Sequence, residues 1–153
     1  MTLEEPLGLS VLRELAVASD PALTDRPLVG FGLSTVDIDR AIERASFEDG
    51  SRWEPAARDE LLGARAVIRL GSERGNHLHV VLLEPDTEGR LAASLARFGE
   101  GLAAIYLASP ATSTMRPPAT DARYGRRANG PLGPARLLLG GAPWGPHVVV
   151  LEP

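Results

Sequence analysis

The chain has 153 residues, of which 44% are hydrophobic and 24% are charged, and its formal net charge is −4 at pH 7. This length and composition indicate one globular domain and exclude a disordered, collagen-like or coiled-coil chain. The acidic balance argues against a nucleic-acid partner, and the absence of cysteine excludes disulfides, thiolate metal sites and a cysteine nucleophile.

The N-terminal part of the chain has no targeting or membrane signature. No stretch approaches the roughly 18 apolar residues that a membrane-spanning helix needs. Glu4 and Glu5 stand where a signal peptide would be basic. We therefore expect a cytoplasmic protein without a membrane partner.

The first half of the chain reads as an extension followed by strands and one helix. Apolar residues at helical spacing predict a helix over 6–18, inside an N-terminal extension of residues 1–27. Next come a short apolar strand, an amphipathic helix with Ile38, Ala41 and Ile42 on one face, a further strand near Arg52 and two strands joined by a turn. Apart from the strand near Arg52, the boundaries of these elements are 28–34, 37–46, 64–70 and 77–83.

The second half begins with a helix that opens at Thr87, its expected N-cap, and buries Leu91, Leu95 and Phe98. A strand over 102–107 follows. Residues 109–134 are rich in proline, glycine and arginine, which predicts a long loop. Two final strands are expected over 135–139 and 147–151.

A short repeat links the two halves. The sequence HVVLLEP at residues 79–85 recurs almost unchanged as HVVVLEP at residues 147–153, and each copy is the last strand of its half. This placement predicts two similar βαβββ modules, residues 28–85 and 86–153, whose curved sheets form a cup.

Two segments carry a family resemblance. GFGLSTVDIDRA at residues 30–41 is similar to the first strand and helix of the vicinal oxygen chelate superfamily. LLEPDTEG at 82–89 and LARFGEGLAAIYL at 95–107 resemble the epimerase-like pattern of that superfamily. The resemblance implies an α+β fold of paired βαβββ modules around a cup, with the helix of the second module replaced here by the loop.

The metal site of that superfamily does not carry over. Its four ligand positions fall on Gly30, Val81, Ala104 and Val150, and none of these side chains offers a donor atom. We therefore expect a metal-free protein without a cofactor.

Strand alternation applied to these positions predicts which side chains line the cup. The lining is small and mostly apolar, which leaves volume for a bulky, largely apolar ligand. The predicted inward residues are Gly30, Gly32, Ser34, His79, Val81, Leu83, Leu102, Ala104, Tyr106, Val148, Val150 and Glu152.

Three of these residues are candidates for catalysis. His79 and Tyr106 can handle protons, and Glu152 lies on the same predicted face as Val150. The structural alternatives are a strand-end histidine, a core tyrosine and a solvated glutamate. Trp144 is expected either to form a stacking wall at the cup mouth or to plug the domain edge. The arginines of residues 115–136 either close over an anion or form a solvated loop.

Three functions remain open. The first is a metal-independent protein that acts on a medium-sized natural-product-type ligand as a cyclase, isomerase or lyase. The second is a sequestering protein that resembles bleomycin-resistance proteins. The third is a metal-dependent epimerase similar to methylmalonyl-CoA epimerase. All three bind a small molecule, and a homodimer is compatible with each.

Overall fold

Eight strands and three helices make up the part of the chain that the computed structural model describes, residues 9–19, 23, 26–45, 51–70, 78–108, 123–140 and 145–153. None of these helices combines the length and apolar character needed to cross a membrane. The elements are α1 (Leu9–Ser19), β1 (Leu28–Ser34), α2 (Ile38–Arg44), β2 (Arg52–Pro55), β3 (Ala64–Leu70), β4 (His79–Pro85), α3 (Arg90–Phe98), β5 (Gly101–Leu107), β6 (Ala128–Gly130), β7 (Gly133–Leu137) and β8 (His147–Leu151).

The strands form one sheet in the order β2-β3-β4-β1-β5-β8-β7-β6. At its centre β1 runs antiparallel to β5, while β4 lies parallel to β1 and β8 lies parallel to β5. The two copies of the repeat occupy equivalent places, because His79 pairs with Gly30 and His147 pairs with Ala104. The curled mixed sheet confirms the predicted α+β fold.

The two faces of the sheet bury separate apolar clusters. We call the face that carries Val81, Leu83, Ala104, Tyr106 and Val149 the cup face, and these residues pack with Leu62 and with Leu91 of α3. The opposite, outer face carries residues that pack with α1 and α2. Its buried strand residues are Phe31, Leu33, Val67, Leu82, Ile105, Leu107, Val148 and Val150.

Helix α1 covers the outer face next to the second module. Leu12 and Ala16 are 2% exposed and belong to the same cluster as Ile105 and Val148. Of the loop predicted over 109–134, residues 109–122 lie outside the described residues, and the prediction is wrong for its second half, which contains β6 and the start of β7. Among the described residues, the helix against this part of the sheet therefore comes from the N-terminal extension.

Helix α3 begins at Arg90 and not at Thr87. The chain before it is fixed on residues 56–63, because the Asp86 amide donates to the Gly63 carbonyl at 2.9 Å and the Leu91 amide donates to the Leu62 carbonyl at 3.2 Å. Gly89, at φ +133°, takes the N-cap position. Leu91 is buried as predicted, but Phe98 is 54% exposed, so the prediction that this ring is buried is wrong.

The β1–α2 turn is held by two glutamates from distant parts of the sequence. Glu84 Oε2 accepts from the Ile38 amide at 2.7 Å. Glu100 Oε1 accepts from the Thr35 hydroxyl and from the Val36 amide, both at 2.8 Å. The two epimerase-like stretches, 82–89 and 95–107, thus supply acceptors for the turn that leads into α2.

Candidate functional site

A buried tyrosine–aspartate pair fills the centre of the cup face. Tyr106, 1% exposed, donates its hydroxyl to Asp59 Oδ2 at 3.1 Å. Asp59 Oδ1 accepts from the amides of Leu61 and Leu62 at 3.1 and 2.9 Å. Burial raises the pKa of Asp59, and burial together with the adjacent Asp59 raises the pKa of Tyr106 well above 10. This environment favours an anchoring role for Tyr106.

The segment that contains Asp59 joins the two edges of the curled sheet. The Glu60 amide donates to the Asn129 carbonyl, and the Asn129 amide donates back to Glu60 Oε2, each at 3.0 Å. Asn129 belongs to β6, at the opposite edge from β2. Residues 56–63 therefore close the curl over the cup face.

The space beside the inward glycines Gly30 and Gly32 is filled by neighbouring protein atoms. A Cβ on Gly32 would lie 2.8 Å from Leu83 Cδ1 and 3.1 Å from Ala104 Cβ, and a Cβ on Gly30 would collide with the His79 carbonyl oxygen. Leu83 and Ala104 are themselves fully buried. The ligand volume expected at these positions is thus occupied by side chains and by the β1–β4 contact.

Three residues expected in the cup lie on the outer face, so their predicted orientation is wrong. Leu102 pairs with Leu33 because the β1–β5 register shifts between Gly32 and Leu33, and it packs with the outer cluster. Val148 and Val150 pair with the outward Ile105 and Leu107. The β8 residue on the face of Val81 is Val149, one position from the predicted one.

Glu152 also lies away from the cup. Its carboxylate pairs with Arg136 at 2.5 Å and with Arg127 at 2.8 Å. Arg136 lies opposite the outward-facing Val150 in the β7–β8 pairing. These ion pairs give two arginines of the 115–136 stretch a structural partner. Trp144 and residues 109–122 lie outside the described residues.

The donor set on the cup face does not fit a divalent metal ion. After the correction in β8, the four family positions are Gly30, Val81, Ala104 and Val149, none of which has a side-chain donor. Within the described residues, no group of three or more histidine, cysteine, aspartate or glutamate side chains could hold a metal ion. Asp59 is nearby, but both its oxygens already accept hydrogen bonds.

The two repeat histidines lie on the cup face in different surroundings. His79 is half-buried at the start of β4, beside Gly30. His147 begins β8, and its Nε2 lies 2.9 Å from the Ser94 hydroxyl on α3. Burial, and to a smaller extent the charge of Arg90, lowers the pKa of His147. The lowered pKa favours the neutral form of this imidazole.

Sequence reasoning gave no role to this Ser94–His147 pair. The repeat marked His147 as the equivalent of His79, and Arg90 and Ser94 stand four residues apart, on one face of α3. Neither signal shows that α3 crosses the cup face and meets the start of β8. The contact depends on how residues 86–89 are anchored.

Two pockets meet at this pair. The first, here called the apolar pocket, has a volume of about 360 Å³ and is lined mainly by apolar residues of α1, α3, β5 and the start of β8, including Leu15, Phe98, Leu102, Ala103 and Pro146. Its polar side chains are Ser34, Ser94 and His147. The second, the Arg90 pocket, has a volume of about 280 Å³ and lies between Arg90, residues 137–140 and residues 145–148.

Comparisons with known proteins identify the fold. No protein-family model matches the sequence, and no curated protein matches it significantly. Methylmalonyl-CoA epimerase from Mycobacterium tuberculosis is similar, with a TM-score of 0.62 and 18% identity over 82% of this chain and 87% of that one. A Streptomyces coelicolor methylmalonyl-CoA epimerase in complex with 2-nitronate-propionyl-CoA gives 0.58 and 19% over 81% and 92%.

A third similar structure has no stated activity. A hypothetical protein from Bacillus halodurans C-125 gives a TM-score of 0.57 and 13% identity over 84% of this chain and 96% of that one. At these identities the likeness concerns the fold. The chain has the curved-sheet fold of the vicinal oxygen chelate superfamily, as its sequence segments predicted.

Proposed function

We propose that this protein binds a medium-sized, largely apolar organic molecule in the apolar pocket, without a metal ion. The observation that carries the proposal is the composition of that pocket. Its walls are mainly hydrocarbon, its volume of about 360 Å³ suits a small organic ligand, and two of its three polar side chains, Ser94 and His147, lie 2.9 Å apart. These two side chains would orient the ligand.

Catalysis in this pocket would depend on His147. A neutral imidazole accepts a proton, and Ser94 lies within hydrogen-bond distance of its Nε2. A cyclase, isomerase or lyase acting on a natural-product-type compound needs one such proton-handling group and a pocket that holds a reactive conformer. Tyr106 is fully enclosed by protein and cannot contact a ligand in this pocket. We therefore prefer His147 to both Tyr106 and His79 as the proton-handling residue.

Sequestration without turnover uses the same pocket. A protein of the bleomycin-resistance type needs apolar walls and an orienting polar end but no proton transfer. Substitution of His147 by glutamine separates the two functions, because it should lower the turnover of a substrate by about 10²-fold or more, whereas the glutamine amide still offers the ligand a hydrogen-bonding group and should weaken binding much less.

The metal-dependent epimerase hypothesis receives less support. The similar structures include an epimerase bound to methylmalonyl-CoA. The positions that would hold the metal here are nevertheless glycine, alanine and valine, so no step is assigned to a metal ion.

Binding of a neutral fluorescent probe tests the proposal. N-phenyl-1-naphthylamine should bind to the purified protein at a stoichiometry of one, and prior treatment with a chelator should leave its affinity unchanged. Phe98→Ser removes an exposed apolar wall of the pocket and should weaken binding severalfold. Val11→Ser is the matched control, because Val11 is 37% exposed and does not line the pocket.

Two results would contradict the proposal. The first is the absence of saturable probe binding to the wild-type protein. The second is equal weakening by both substitutions, which would place the probe on general apolar surface.

A further inference from the structure

We propose that the ligand carries a carboxylate, which lies in the Arg90 pocket between Arg90 and the Ser94–His147 pair while the apolar body of the ligand fills the apolar pocket. This inference rests on the proposed function, since it names the chemical class of molecule that the same site recognises.

The two pockets differ in polarity and share one boundary. Ser94, Gly145, Pro146 and His147 line both of them. On one side lie mainly apolar side chains, and on the other lie the Arg90 guanidinium and residues 137–140, three of which are leucines. A molecule that spans the boundary therefore needs an apolar body and a polar end.

The positive charge of Arg90 favours a ligand whose polar end is negatively charged. It is exposed at the first turn of α3, one helical turn from Ser94, so both side chains project toward β8. Of the ion pairs formed between described residues, none includes Arg90, whereas Arg58, Arg127 and Arg136 each have a carboxylate partner. The positive charge of Arg90 is thus available to an anion.

The remaining groups match a carboxylate. Guanidinium binds carboxylate through two parallel N–H···O bonds, and the second face of the carboxylate can accept from a hydroxyl or an imidazole N–H. The hydrogen bond between Ser94 and His147 uses one of their two protons, so the pair supplies one further donor: the Ser94 hydroxyl or the His147 Nδ1–H, according to the tautomer. An amide of the same shape would form weaker hydrogen bonds with Arg90.

A pair of isosteric probes tests the inference. 4-Phenylbutanoate and 4-phenylbutanamide share one apolar body and differ at the polar end. Displacement of N-phenyl-1-naphthylamine should show that the acid binds about tenfold more tightly than the amide. Arg90→Gln should abolish this preference, because it weakens the binding of the acid far more than that of the amide. Arg65→Gln is the charge-matched control, because Arg65 is an exposed residue of β3 that pairs with Asp39.

A second readout follows the imidazole of His147 by NMR. The described groups that face it are Arg90 and Ser94, both on α3. A bound carboxylate offsets the charge of Arg90 and stabilises the imidazolium, so the acid should raise the pKa of His147 and the amide should not.

The outcomes separate the two proposals. Equal affinity of acid and amide, or failure of both to displace a dye that does bind, overturns the carboxylate inference and leaves the proposed function standing. If the dye itself does not bind, the proposed function fails and the inference fails with it. A preference for the acid that persists in Arg90→Gln also overturns the inference.

Discussion

The role of Asp59 was not predicted from the sequence. It lies in a segment without periodicity, so strand alternation selected its partner Tyr106 and passed over the carboxylate. The structure places Asp59 at 1% exposure, with three hydrogen-bond donors around it. A buried carboxylate with such a set of donors fixes residues 56–63 over the cup face.

Substitution of Asp59 by asparagine should change how stability depends on pH. Burial raises the pKa of Asp59 above 3.8, so the folded state binds its proton more tightly than the unfolded state. This contribution to stability is fully present below pH 3.8 and is lost as the pH rises through the folded-state pKa. The free energy of unfolding of the wild type relative to Asp59→Asn should therefore fall across that window, as measured by urea unfolding at several pH values. A difference that grows with pH would show that the carboxylate is stabilised as the anion.

Alternation succeeded where strands are regular and failed where they are not. Gly32 and Val81 lie on the predicted face, because they pair with each other in a β1–β4 register that contains no shift. Leu102 does not, because a register shift in the β1–β5 pairing has no sequence signal. The predicted orientation of Val148 and Val150 was wrong for a different reason. The repeat aligns Val81 with Val149, but the metal-ligand position implied by the family resemblance was placed one residue later, on Val150.

At the scale of elements, the helix α2 depends on acceptors from outside its own sequence. Asp37 caps the Arg40 amide at 3.0 Å, and this local signal is visible in the sequence. Glu84 and Glu100 complete the turn from 46 and 64 residues away. Their segments were recognised as family-like, but only the structure gives the glutamates this role.

Loss of either glutamate should destabilise the fold. Glu84→Ala leaves the Ile38 amide without its carboxylate, and Glu100→Ala removes the acceptor of two donors, so each should lower the free energy of unfolding by about 1–2 kcal/mol at pH 7. Urea unfolding measures this, with Glu88→Ala as the control, since Glu88 is an exposed glutamate of the same region.

The effect of Glu100→Ala should also depend on pH. Hydrogen bonds from Val36 and Thr35 lower the pKa of Glu100, so its stabilising contribution is present above 4.5 and is lost as the pH falls through the folded-state pKa. If Glu84→Ala and Glu100→Ala each lower the free energy of unfolding at pH 7 by no more than Glu88→Ala does, neither glutamate supports α2.

Helix α1 shows what periodicity can and cannot predict. The spacing of Leu12, Leu15 and Ala16 predicts an amphipathic helix, and two of these residues are buried. The surface that the helix covers is not encoded in that spacing. It packs with the outer cluster next to β5 and β8, and its Leu15 forms a wall of the apolar pocket.

For the whole molecule, the prediction of two paired modules came from the placement of a seven-residue repeat at the end of each half of the chain. The repeat did not predict how the cup is closed, because closure depends on the long-range contact between Glu60 and Asn129 and on α3 lying across the cup face. The candidate site arises from the same arrangement. Ser94 and His147 are 53 residues apart and meet only because α3 lies across the cup face against the start of β8.

We propose that small molecules bind where α3 meets β8 and not in the centre of the cup. A crystal structure of the protein with bound 4-phenylbutanoate is the decisive test of this proposal. We expect the phenyl ring against Phe98 and Ala103, the carboxylate beside Arg90 and His147, and no metal ion in contact with the ligand. A ligand lying instead against Gly32, Val81 and Ala104, with Leu62 and Leu91 displaced, or coordinated to a divalent ion there, would contradict it.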